Sequence, residues 1–112
     1  MDLEIIVTSV AEAIQAEKFG ATRLELIDSF YLGGCSPTLS LSREVASAVQ
    51  IPVNVMVRPH GVGFNLSEND MSIVLHEIEY LLANTKVNGI VFGSLTVQGN
   101  INFKQLDAVS DL

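Results

Sequence analysis

The apolar positions of this chain change period several times. Short stretches rich in branched aliphatics alternate with longer ones in which apolar residues recur every three or four positions. Leu3–Val7, Arg23–Ile27, Val53–Val57 and Gly89–Phe92 read as strands. Helices are expected from Ser9 to about Phe19, over about Ser40–Val49, and from Ser67 to about Ala83. Local signals support these boundaries. Ser9 and Glu12 predict a capping box, Gly20 a left-handed stop, and Pro52 a strand entry where a missing N–H matters least. Thr96–Asn100 reads as a turn or small hairpin around Gln98-Gly99, and Asn102 with Gln105 predicts the cap of a fourth helix. A βα unit repeated about four times, with no linker, predicts an α/β fold with a parallel sheet.

Alternation within the strands sharpens this. Val53, Val55 and Val57 share one face, and Asn54, Met56 and Arg58 the other. Leu24 and Leu26 oppose Arg23, Glu25 and Ile27, while Leu3, Ile5 and Val7 oppose Glu4, Ile6 and Thr8. The fourth strand is apolar on both sides. One aliphatic and one mixed face per strand suits a barrel with helices outside, whereas a doubly wound sheet is apolar on both faces. The expected fold is therefore a TIM-like (β/α) barrel. Glu4, Thr8, Glu25, Asn54, Met56 and Arg58 are expected to line its concave side, with Leu24, Leu26, Val53 and Val55 against helices. A closed barrel of this kind takes about 250 residues, and the chain has 112. Residues 1–112 are accordingly expected to form one incomplete domain, a half-barrel with open edges, stabilised as a homodimer or by a separate second-half chain.

Composition narrows the class of partner. The chain is 48% hydrophobic and 17% charged, with mean hydropathy +0.39. That excludes disorder and calls for a deep core or a covered surface. A net charge of −7 argues against nucleic acid or an anionic membrane as partner. A single cysteine, Cys35, allows no internal disulfide. With an acidic start and no apolar run of membrane-spanning length, the expected compartment is the cytoplasm.

Four segments carry a family resemblance. They are Arg23-Leu24-Glu25-Leu26, Gly33-Gly34-Cys35-Ser36-Pro37-Thr38, Val55-Met56-Val57-Arg58-Pro59-His60-Gly61 and Gly89-Ile90-Val91-Phe92-Gly93-Ser94-Leu95. In order and spacing they resemble the CutC copper homeostasis family. The resemblance implies a TIM-like barrel, a role in intracellular copper handling, and a family chain roughly twice as long as this one. It also exposes departures. Where family members often carry cysteines, at the end of the first strand and of the second-strand motif, this chain has Ile6 and Ile27. The family's acid after the first strand is Thr8, and His60 stands where arginine is common. Isoleucine offers no donor to Cu(I), which favours thiolate and thioether ligands.

The candidate ligand-binding set at the barrel mouth is Glu25, Asn54, Arg58, His60 and Ser94. Arg58, at a strand-to-loop junction, suits a carboxylate or phosphate, with Glu25 positioning it or acting as a base; the two residues equally suit an internal ion pair. Met56 and Cys35 are the candidate soft ligands for Cu(I). No spacing marks a metal site, and no catalytic residue is identifiable. A barrel enzyme acting on a small anionic metabolite through Glu25 and Arg58 stands as the alternative to copper handling, and a fragment acting only by association as a third reading.

Overall fold

The computed structural model describes all residues, 1–112. Four strands, β1 (Glu4–Val7), β2 (Arg23–Leu26), β3 (Val53–Met56) and β4 (Gly89–Val91), alternate with helices α1 (Val10–Lys18), α2 (Leu39–Ala48), α3 (Glu68–Asn84) and α4 (Phe103–Ser110). All pairings are parallel and the sheet order is β1-β2-β3-β4. Parallel crossovers are right-handed, so crossovers that always step the same way put every helix on one side. The result is the half-barrel of four βα units that the strand faces predicted.

The aliphatic residues of β1–β3 meet the helices. Val7, Leu24, Leu26, Val53 and Val55 are all buried, packed with Ala13, Val45, Val74, Ile78 and Leu81 from α1, α2 and α3. No helix covers the opposite face. There Ile6 is 47% exposed, in a row with Glu25, Asn54 and Gly89. Ile27, on the same face, is buried because the loop after β2 folds over it.

Local signals behave with two differences. Ser9 Oγ accepts from Glu12 N–H, but the Glu12 carboxylate accepts from Thr8 N–H rather than from Ser9, so the capping box closes one residue early. Asn102 caps α4 by accepting from Gln105 N–H, while the Gln105 side chain is used elsewhere. A 3-10 turn over Phe30–Leu32 carried no sequence signal, because a left-handed residue, Ser29 (φ 51°), initiates it. The hairpin near Gln98-Gly99 forms, with Leu95 bridged to Ile101.

The strongest cap opens α3. Ser67 Oγ accepts from Asp70 N–H (3.0 Å), and Asp70 Oδ2 accepts from Ser67 N–H (2.9 Å) and pairs with His60 Nε2 (3.1 Å). The Ser67 amide, with help from His60, holds the Asp70 carboxyl below the usual carboxylate range. A lowered folded-state value means that this stabilisation is complete above the unfolded pKa and is lost as pH falls through the lowered one. Ser67→Ala should cost about 1 kcal/mol. Asp70→Asn should lower the melting temperature at neutral pH, with the difference from wild type closing as pH falls below the ordinary aspartate range; melts followed by circular dichroism from neutral to acid pH measure it.

Candidate functional site

The uncovered face carries polar groups at two levels, and the sheet register separates them. Glu25 lies opposite Asn54, and Asn54 opposite Gly89. Arg58 is four residues beyond Asn54, roughly 13 Å further along the strand direction. The expected joint action of Glu25 and Arg58 is therefore corrected. Alternation put them on one face, but the register puts them at different ends of it, and they form no ion pair.

At the lower level, Arg23 Nε pairs with Glu4 Oε2 at 2.7 Å, and Asn54 Oδ1 accepts from Asn88 Nδ2 at 3.0 Å. A Cβ at Gly89 would fall 2.9 Å from Asn54 Oδ1, so the missing side chain makes room for that carboxamide. Glu25 has no cation of its own here. Burial, and then the charge of Glu4, raise its pKa.

The upper level is built around Arg58, which is 8% exposed. Nη1 donates to the carbonyls of Leu32 and Gly34, each at 2.9 Å, and Nη2 to that of Gly63 at 3.5 Å. The guanidinium stacks on the Phe64 ring at 4.3 Å, and Nε is buried without a partner. The Arg58 backbone joins the same loop, its N–H donating to Ser36 Oγ (2.8 Å) and its carbonyl accepting from Ser36 N–H (2.9 Å). Arg58 thus ties the β2–α2 loop to the end of β3 and to the β3–α3 loop. A cavity of about 220 Å³ beside it is lined by Met56, Val57, Arg58, Phe64, Val91, Phe92 and Gly93. Larger cavities lie elsewhere, one of about 500 Å³ around the entries to β3 and β4 and one of about 580 Å³ between α3 and α4.

The remaining candidates disperse. His60 uses both nitrogens, Nε2 towards Asp70 and Nδ1 accepting from Val62 N–H, so it serves its loop and the α3 cap. Ser94 is buried; its hydroxyl donates to Gln105 Oε1 and its carbonyl accepts from Asn102 N–H, which ties α4 to the end of β4. Cys35 is partly buried and bridges to Asp28 through the backbone. Met56 keeps its place on the inner face. A Cβ at Gly34 would lie 2.8 Å from Met56 Sδ and 3.3 Å from Ile27 Cδ1, so the thioether, the isoleucine tip and the Cys35 loop are neighbours. No three His, Cys, Asp or Glu side chains converge as a metal cluster. Ser36, Phe64 and Gln105 were missed as site-builders. Ser36 had a signal in the Gly-Gly-Cys-Ser-Pro-Thr loop, whereas Phe64 acts through a contact that has no sequence period.

Glu25 yields a direct check on this geometry. A carboxyl whose folded-state pKa is raised opposes folding as pH rises through that value. Glu25→Gln should therefore raise the melting temperature at neutral pH, with the gain vanishing below about pH 4. Parallel melts of the two proteins across that range test it.

Known proteins bear on this arrangement in three ways. The profile of the CutC family matches residues 1–112. A copper homeostasis protein cutC homolog of Mus musculus is 38% identical over 100 residues, covering 89% of this chain and 36% of the relative. Family protein CutC of Treponema denticola is 36% identical over 107 residues, covering 96% and 43%. The chain thus spans less than half the length of these relatives. A solved structure of a CutC protein from Streptococcus agalactiae superposes with a TM-score of 0.87 at 23% identity, over 97% of this chain and 53% of that one, and supports the fold. With a profile match along its whole length, the chain belongs to the CutC family.

Proposed function

We propose that this chain takes part in cytoplasmic copper homeostasis, carrying Cu(I) as cargo through Met56 with Cys35 in support. The observation that carries this reading is the Met56 thioether, held on the inner face against Gly34 and beside Ile27. Membership of a family whose relatives are named copper homeostasis proteins supports it. The donor set is thin. One thioether and one thiol suit a low-coordinate Cu(I) site and not a closed multi-ligand one. Ile6 and Ile27 share the face with Met56, Ile27 one step further along the strands than Ile6. Cysteine at Ile27 would set a thiol beside the Met56 sulfur.

Under reducing conditions, competition titration with a Cu(I) chelator should show weak binding that the Cys35→Ser, Met56→Leu double variant loses. Ile6→Cys with Ile27→Cys should raise the affinity at least about tenfold, because two thiolates join the set. An unchanged affinity on adding both cysteines would remove this face from the copper reading.

A second reading concerns assembly. Ile6 is half-exposed on the uncovered face of the edge strand β1, and β1 and β4 each have one unpaired edge. Unpaired edges and exposed apolar surface drive association. Closing a barrel takes eight parallel strands, and two copies of this four-stranded sheet supply eight. The occupant of the inner face is therefore read as a second copy. Size-exclusion chromatography with light scattering should give a dimer, and Ile6→Lys should shift it towards monomer. A concentration-independent monomer of 12.1 kDa would overturn this reading, and a complex formed only with a second-half chain would replace it.

A further inference from the structure

The Arg58 guanidinium is nine-tenths buried, and no carboxylate pairs with it. A cation removed from water needs acceptors for its N–H groups and gains most from an opposite charge. A guanidinium has five N–H donors. Both Nη1 hydrogens are taken, by the Leu32 and Gly34 carbonyls at 2.9 Å. Nη2 has only the Gly63 carbonyl at 3.5 Å, and Nε has nothing. The under-used donors are therefore those of the Nε/Nη2 edge, the edge that binds a carboxylate through two parallel hydrogen bonds.

The surroundings select the kind of anion. Apart from Arg58, the side chains lining the adjoining cavity belong to Met56, Val57, Phe64, Val91 and Phe92, and none carries an N–H or O–H donor. A phosphate bound there would find no side-chain donor for the oxygens that Arg58 leaves. A monocarboxylate has two oxygens, which the Nε/Nη2 edge satisfies, and its apolar body suits the aliphatic and aromatic walls. A cavity of about 220 Å³ limits that body to a few carbons. The acceptor on Nη2 is also loosely held. The Gly63 contact is the longest of the three, Val62 is 92% exposed, and a Cβ at Gly63 would meet no atom within 4 Å.

We propose that Arg58 is the receptor of a small-molecule site at the open end of the sheet, taking a short-chain organic monocarboxylate on its Nε/Nη2 edge in place of the Gly63 carbonyl. The site does not depend on copper and uses no group assigned to it except the wall provided by Met56.

The test uses the full chain, metal-free, with butyrate as probe. The Arg58 Nε–Hε resonance reports directly on whether Nε acquires an acceptor. A saturable shift of that resonance with butyrate is expected, with none from chloride at matched ionic strength and a weaker one from inorganic phosphate. Gly93→Leu places a side chain in the cavity and leaves residue 58 an arginine. Gly93 continues the register of Val91 opposite Met56 onto the level of Arg58, and a Cβ there meets nothing within 4 Å. That variant should still show an Arg58 Nε–Hε resonance, and that resonance should no longer respond to butyrate. Arg58→Lys, which retains the charge without the fork, should bind about tenfold more weakly or worse. If the lysine variant does not fold, the wild-type and Gly93→Leu titrations decide. No shift at high butyrate, an equal response to phosphate, or full binding in Gly93→Leu would each overturn the proposal.

Discussion

Every crossover in this sheet steps in the same direction, and the other features follow from that constraint. Because right-handed crossovers then put all helices on one side, the aliphatic faces of β1–β3 share one core with α1, α2 and α3. The other face is left without a helical layer. It is therefore where Glu4, Arg23, Glu25 and Asn54 can keep polar groups without the desolvation a second helical layer would impose. The same geometry collects the loops that follow the strands at one end, where (β/α) barrels place their sites.

Arg58 organises that end. One side chain at the end of β3 reaches backbone carbonyls of the β2–α2 loop and of its own following loop, and stacks on Phe64. Hydrogen bonds to a charged donor are worth more than neutral ones, about 1.5–3 kcal/mol each when well formed. Two short contacts therefore go far towards ordering a loop that holds two left-handed glycines, Gly33 and Gly34. Ser36 adds its hydroxyl and amide to the backbone of the same residue. Gly34 is also the surface on which Met56 rests. Arg58 and Met56 thus share a loop and a cavity wall, and a change in one will be felt by the other.

Most of the architecture was legible from the chain. The change of hydrophobic period located the four strands, and alternation separated the helix-facing valines and leucines from Glu25, Asn54, Met56 and Arg58. Ser67 carried the start of α3, and the four motif segments carried the family. These are local properties: backbone dihedrals, caps and side-chain direction are set within a few residues, so the sequence by itself determined them. Register is not local. It depends on how strands far apart in the chain slide against each other to bury their apolar rows, and only the tertiary structure decided that Glu25 faces Asn54 while Arg58 lies well beyond both. Nor does a sequence period report that Ser94 is taken by Gln105, His60 by Asp70 and Arg58 by loop carbonyls. Those pairings arise when loops converge in space, and a polar group in a crowded end of the sheet bonds to the nearest partner of complementary sign.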